Sequence, residues 1–309
     1  MASGTRRALL DALAAGPVHG PTFAAEHDVS RAAVWKHVEA LREAGFEVES
    51  GDDGYRVTDV PDYGAAAVEF GLGAPYAVEY HDAVASTNDR ARELASAGRA
   101  DVAVVADEQT GGRGRLGRGW AAPPGSVSAS LALRPDVPPA HAPVVTLAAA
   151  VAVVRACEPL DVAPRIKWPN DVLLGDDERK LAGVLTEMEG EADRVAWLVV
   201  GVGVNANVDS GKLPAGATSL RAACGDVDRR RFVQRLLTAF HDLHDDPDAV
   251  LPAWRDRAAT LGRRVRVETP SGVVEGEAVD VAFPGALVVE TDAGTERVHA
   301  GDCEHLRPA

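Results

Sequence analysis

Hydrophobic positions follow three different rhythms along this chain, and each rhythm predicts a different kind of element. Up to about residue 58 the spacing is helical. Thr5 to Ala15 is amphipathic, and "PTFAAEHDV" gives a short second helix behind Pro21. "SRAAVWKHVEALREAG" opens on a Ser30 N-cap and stops at Gly45, with Val34, Val38 and Leu41 forming one apolar stripe. "FEVESGDDGYRV" then alternates around Asp53-Gly54, the signature of a hairpin. Three helices and a two-stranded wing predict a winged helix-turn-helix. Ser30, Arg31, Lys36 and His37 lie off the stripe, on the face a recognition helix offers to DNA.

The second rhythm starts after Pro61 to Pro75, a glycine-bearing stretch that reads as a linker. From about 76 to 258, apolar strand-like runs mix with helical ones. "VAVVADEQT" reads as a buried strand, and "SVSASLALRP", "RIKWPNDVLL", "KLAGVLTEMEG" and "RVAWLVVGVGVNAN" as further strands. "PVVTLAAAVAVVRACE" is apolar on nearly all sides, which predicts a buried helix, and "DRRRFVQRLLTAFHDLH" predicts an amphipathic one. A mixed α/β sheet domain follows. Beyond residue 262 the pattern changes to short strands and turns, which predicts a small SH3-like barrel.

Composition changes the picture in two ways. The chain has 309 residues, 47 acidic and 32 basic, for a formal charge of −15. Only Lys36, Lys167, Lys180 and Lys212 are lysine, so each becomes a candidate for chemistry. Acid excess with little lysine suits either a salty cytoplasm or a GC-rich coding bias. The N-terminal segment is itself acidic, six basic residues against nine acidic, which weakens the electrostatic case for DNA and leaves a protein-binding module as the other reading. There is no signal-peptide pattern and no unbroken apolar run of spanning length, so a cytoplasmic protein without membrane contact is expected. Cys157, Cys224 and Cys303 are isolated, with neither metal-ligand nor disulfide spacing.

Candidate chemistry concentrates in a few short stretches. Thr110 to Trp120, "TGGRGRLGRGW", carries five glycines and three arginines without one acid. It lacks both the P-loop and the dinucleotide-fold contexts. Glycine admits close backbone approach, and arginine supplies forked donors to phosphate or carboxylate. The loop therefore predicts an anion site that a ligand orders. "KWPND" (167–171) combines lysine, aromatic, proline turn and carboxylate. "KLAGVL" (180–185) and "GVGVN" (201–205) place glycines inside strands, where ligands approach closely. "STN" (86–88) reads on its own as a helix cap.

In this order, together with Gln109, these motifs resemble the biotin protein ligases, and in particular the ligase–repressors with an N-terminal winged helix. The resemblance spans nearly the whole chain. It implies a multidomain α+β architecture: a winged helix over 1–60, a linker over 61–75, a class II synthetase-like mixed α/β catalytic domain over 76–260, and an SH3-like barrel over 261–309. It also implies Mg-ATP-dependent conversion of biotin to biotinyl-5′-AMP, then transfer to one lysine of a carboxylase's biotin carrier domain. Repression at an operator by a homodimer is implied as well, the dimer being favoured when adenylate orders the loop.

For the site, the resemblance places the biotin head against Ser86, Thr87, Asn88, Gln109, Gly112 and Gly114, with Gly183, Gly201 and Gly203 as walls. Arg113, Arg115 and Lys180 serve both substrates. Arg118, Trp120, Asn170 and Asn205 belong to the nucleotide. Lys167 lies near the phosphates, and Asp171 orients or deprotonates the acceptor lysine. Two departures stand out. Ala217 falls about where a tryptophan stacks on adenine in relatives, which leaves Trp120 to close that pocket. "VLLGDDER" is also slightly long, an extension a hairpin tip absorbs. A lipoate or octanoate ligase and a non-catalytic biotin sensor are the alternatives.

Overall fold

The computed structural model describes residues 2–191 and 193–306. Helices α1 (Ala2–Ala15), α2 (Gly20–Glu26) and α3 (Arg31–Glu43) pack on a hairpin of β1 (Glu47–Gly51) and β2 (Gly54–Asp59). Ser30 caps α3 by accepting from Ala33 N at 3.1 Å, as its position before an apolar stripe predicts. The stripe residues Val34, Val38 and Leu41 are buried with Leu9, Leu10, Phe23 and Phe46. The hairpin turn needs glycine at 54: its φ is +105°, and a Cβ there would lie 2.2 Å from Val18 O. That approach lets Val18 and Tyr55 exchange backbone hydrogen bonds at 2.8 and 2.9 Å, which ties the wing to the helices.

The stretch expected to be a linker is a packed joint. It carries α4 (Ala65–Glu69), whose Ala66 belongs to the winged-helix core and whose Val68 belongs to the central one. Arg7 of α1 donates to the carbonyls of Leu72, Ala74 and Tyr76 at 2.9–3.0 Å. Arg6 pairs with buried Glu69, which also accepts from Val78 N at 2.9 Å. Glycine content suggested freedom; the exit carbonyls of α4 are instead taken up by side chains from both neighbours.

The central sheet is built from β3 (Ala77–Val84), β4 (Val102–Gln109), β5 (Val127–Leu133), β6 (Arg165–Lys167), β7 (Asp171–Leu174), β8 (Arg179–Gly190) and β9 (Val195–Val204). Its spatial order is β3-β4-β5-β9-β8-β7-β6, and only β3 and β4 run parallel. Helix α5 (Thr87–Ser96) covers one face. Helices α6 (Ala142–Cys157) and α8 (Arg229–Asp245) cover the other, α9 (Val250–Asp256) packs on α6, and α7 (Leu220–Cys224) is a short turn of helix. The faces separate by the period of two: Val102 and Val104 lie with α5, Ala103 and Val105 in the main core. "RIKWPNDVLL", expected as one strand, is two paired antiparallel, because Pro169 cannot donate to a ladder. The helical run Pro139–Leu160 is long and apolar enough to cross a membrane, against the expectation from unbroken apolar runs, but it is the mostly buried core helix.

The C-terminal unit has five antiparallel strands, β10 (Arg263–Thr269), β11 (Gly272–Ala282), β12 (Ala286–Thr291), β13 (Gly294–Val298) and β14 (Asp302–His305), in the order β13-β12-β11-β10-β14. Its core residues Val265, Val267, Leu287 and Val289 are continuous with the central core. The three cysteines are free.

Candidate active site

The strand glycines, the cap of α5 and the basic loop converge on one cavity of about 420 Å3 on the central sheet. Two of the four lysines, Lys167 and Lys180, line it. Strands β7 and β8 form a hairpin that pairs Leu173 with Lys180 and Asp171 with Gly183. The hairpin brings Lys180 Nζ to 2.7 Å from Asp171 Oδ1. Its tip turns at Gly175, φ +81°, whose carbonyl accepts from Glu178 N at 3.1 Å.

One end of the cavity is a polar network. Ser86 caps α5, accepting from Asp89 N at 3.3 Å. Gln109 Oε1 accepts from Thr87 N at 2.8 Å and lies 3.1 Å from its hydroxyl. Gln109 Nε2 donates to Ser128 Oγ at 3.1 Å. Ser130 Oγ lies 2.7 Å from both Thr87 Oγ1 and Asn88 Oδ1. Ser128 and Ser130 were missed as site supports. The alternation "SVSAS" marks them, since buried strands rarely place serines on one face without partners.

The glycines do something more specific than admit a ligand. A Cβ at Gly201 would fall 1.9 Å from Asn88 Oδ1, and one at Gly203 2.4 Å from Trp120 Nε1. Asn88 and the Trp120 indole thus lie directly on the strand backbone, and a Cβ at Gly183 would meet the same ring at 3.5 Å. Lys180 Nζ sits 5.5 Å from the ring centroid, within cation–π range. Ala217, in the expected tryptophan's place, is buried and pairs its backbone with Lys180. Substituting Gly203→Ala should push the indole off its seat. The expected result is a 10- to 100-fold weaker Kd for the ligand of this cavity, from an overpacking cost of about 1–3 kcal/mol. Titration calorimetry checks this, with an unchanged melting temperature showing that the fold persists.

The loop arginines are not free, in contrast to the expectation of a purely basic segment awaiting an anion. Arg113 makes two bonds to Asp89, at 2.7 and 3.0 Å, and approaches Glu187 at 3.6 Å. These partners hold its basicity above the ordinary arginine value. Arg115 donates to Asn170 Oδ1 at 3.1 Å and to Gly301 O at 2.9 Å. Burial pushes its basicity down, with Asp302 and Asp171 opposing, and it stays cationic. Arg118 donates to Asp302 at 2.8 Å. Leu116 between them has φ of 55° and is 79% exposed. The local charge count missed these acids because they arrive from α5, β8 and β14.

Most expected site residues line the cavity: Ser86, Thr87, Asn88, Gln109, Arg113, Gly114, Arg115, Arg118, Trp120, Lys167, Asn170, Asp171, Lys180, Gly183, Gly201 and Gly203. Two do not. Asn205, expected to face the nucleotide, is buried and donates to Thr218 O at 2.9 Å and to Lys180 O at 3.4 Å, so it braces backbone. Gly112 accepts from Trp120 N at 2.9 Å and folds the loop back on itself. The C-terminal unit supplies a wall that the motifs did not reveal: Arg266, Glu268, Asp302, Cys303 and Glu304. In the N-terminal unit, Arg31 and Lys36 are exposed on α3 and His37 is half-buried, while Ser30 is engaged in its cap. Trp35, unremarked in sequence, is 53% exposed between them.

A lysine–aspartate pair on a glycine-floored sheet, roofed by a loop of arginines and headed by a winged helix, defines an acyl-activating ligase joined to a DNA-binding type of module. Comparison with known proteins narrows the class. Residues 81–205 match the biotin/lipoate A/B protein ligase family, 260–306 the biotin protein ligase C-terminal domain, and 5–56 an HTH domain. The bifunctional ligase/repressor BirA of Bacillus subtilis is 38% identical over 295 residues, covering 89% of this chain and 90% of its own. The biotin--[acetyl-CoA-carboxylase] ligase of Mycobacterium tuberculosis is 35% identical, covering 76% and 92%. Among solved structures, the biotin protein ligase of Aquifex aeolicus in complex with biotin and ATP superposes with a TM-score of 0.62 at 26% identity, covering 75% of this chain and 99% of that one. The chain belongs to the biotin protein ligase family.

Proposed function

We propose that this chain is an ATP-dependent biotin protein ligase that condenses biotin with ATP to biotinyl-5′-AMP and then biotinylates a lysine of a carboxylase carrier domain. The observation that carries the reading is the Lys180–Asp171 pair at 2.7 Å inside a cavity whose roof holds Arg113, Arg115 and Arg118. Joining a carboxylate to a triphosphate brings two anions together, and fixed positive donors in a small cavity offset their repulsion. The Thr87–Gln109 network suits the polar ureido head of biotin, whereas a lipoyl tail needs only an apolar tunnel. Trp120, over Gly203, forms the wall between the biotin and adenylate ends. Arg115 and Arg118 exchange Asp302 for nucleotide phosphates. Mg2+ arrives with the triphosphate and is held mainly by its oxygens; no cluster of three acidic, histidine or cysteine side chains able to hold a metal occurs among the described residues.

In this reading residues 1–60 form the DNA-binding unit, 61–75 the joint, 76–260 the catalytic domain and 261–309 an SH3-like barrel. The winged helix adds biotin-responsive repression, with α3 entering the major groove and a dimer setting the half-site spacing. The direct test is exchange of labelled pyrophosphate into ATP. Exchange that requires biotin is expected; exchange driven by lipoate or octanoate would name a different acid, and biotin binding without exchange would leave a sensor.

A further inference from the structure

Three elements carry the chemistry: the Lys167–Asp171 turn, the β7–β8 hairpin with Asp171 and Lys180, and the start of β14 with Asp302. One largely buried side chain, His305, links them: it lies on β14, meets the hairpin tip directly and reaches the turn through Thr260. It sits on β14, three residues after Asp302. Its Nδ1 lies 3.2 Å from Glu178 Oε2, on the hairpin tip. Its Nε2 lies 3.0 Å from Thr260 Oγ1. Thr260 is fully buried and accepts from Trp168 N at 2.9 Å, at the head of the turn. Glu178 is also anchored by Arg263 at 2.6 Å.

We propose that Glu178, His305 and Thr260 form a hydrogen-bonded relay that fixes the Lys167–Asp171 turn against the Lys180 hairpin, with His305 as a positioning residue for adenylation. The inference rests on the ligase reading above. The polarity of the chain follows from the donors. Thr260 Oγ1 already accepts from Trp168 N, so its own proton is best donated to His305 Nε2. That leaves Nδ1–H donating to the Glu178 carboxylate, which is a neutral imidazole in one tautomer. Burial holds His305 below the usual histidine range, and Glu178 only partly opposes it. The charged groups facing it are Glu178 from the hairpin, Lys167 from β6 and Arg263 from β10. Protonation would make Nε2 a donor as well. Thr260 Oγ1 would then face two donors and lose the acceptor of its own proton, so the hold on Trp168 N would change. Trp168 cannot drift freely, because its indole Nε1 is fixed to Gly285 O at 2.9 Å. The adjustment therefore falls on Asn170 and Asp171, and through them on Arg115 and Lys180.

The experiment compares wild type with His305→Leu, His305→Gln and Thr260→Val in biotin-dependent pyrophosphate exchange across pH, alongside biotin Kd. Leucine removes both hydrogen bonds; glutamine can keep both. Expected for His305→Leu and Thr260→Val is a roughly 10- to 100-fold lower exchange kcat with biotin Kd within about twofold, as for a small misplacement of reacting groups. His305→Gln should recover most of kcat and should lose the acid-side fall expected of wild type as His305 takes up a proton, below the usual histidine range. Overturning results are a His305→Gln profile that keeps the wild-type acid limb, or loss of biotin affinity in step with kcat, which marks a merely structural residue. If His305→Leu fails to fold, the glutamine profile decides. Wild type without biotin-dependent exchange would sink the ligase reading instead.

Discussion

Lys180→Ala should lower biotin-dependent pyrophosphate exchange by roughly 10³-fold, the scale for losing a preorganised donor at a developing charge. The lysine is one end of a 2.7 Å ion pair, lies over the Trp120 ring and lines the cavity. In the proposed reaction the biotin carboxylate attacks the α-phosphorus, and this ammonium is expected to offset the negative charge that then gathers on the phosphate oxygens. The arginines of the loop do not replace it, because they approach from the roof of the cavity, whereas Lys180 rises from the strand floor beside Asp171. Lys180→Arg should not restore the rate, because a planar guanidinium fork cannot reproduce the compact point charge that Lys180 places against Asp171. Biotin binding should fall much less, since the ureido end is held by the Thr87–Gln109 network. Exchange within tenfold of wild type would show that this cation is not the one that stabilises the reacting phosphate.

Asp171→Asn should separate the two half-reactions. The substitution keeps shape and hydrogen-bonding capacity and removes the charge next to Lys180. Exchange should survive within several-fold, while transfer from preformed biotinyl-5′-AMP to a carrier-domain lysine should fall by about 10²–10⁴-fold, the usual range for a general base. The pH dependence has a definite sign. A free lysine has a pKa of about 10.4, so at pH 7 nearly all acceptor is protonated and must shed a proton to attack. Without the carboxylate, transfer should climb with pH as free amine accumulates, and the gap to wild type should narrow on the alkaline side. Single-turnover transfer measured from pH 7 to 9.5 checks this. Equal losses in exchange and transfer would instead place Asp171 in adenylation, as the residue that holds Lys180.

The acidic winged helix fits these expectations without taking part in them. Its core is separate from the central one, and α4 joins the two through Ala66 and Val68. Arg6, Arg7 and Gln234 clamp this joint from both sides. Sequence suggested flexibility there because glycines at 64, 71 and 73 are read locally. The clamp depends on α1 and α8, which are remote in sequence.

Much of the site was legible because its parts are contiguous. The serine cap at 86, the arginine–glycine loop, the "KWPND" turn and the in-strand glycines each obey a local rule, and their order carried the resemblance. The buried helix α6 and the apolar stripe of α3 were legible for the same reason: periodicity is a local property. What the sequence could not supply was pairing across distance. It did not show that Gly201 and Gly203 seat Asn88 and Trp120, or that Asn205 braces backbone and faces away from the ligand cavity. Nor did it show that the loop's missing acids come from α5, β8 and β14. Side-chain type and spacing decide which elements form and which groups can do chemistry. Only the closed fold decides which charge meets which, because a hydrogen bond or ion pair depends on distances of a few ångströms between residues as far apart as Arg115 and Gly301, and no local pattern records those.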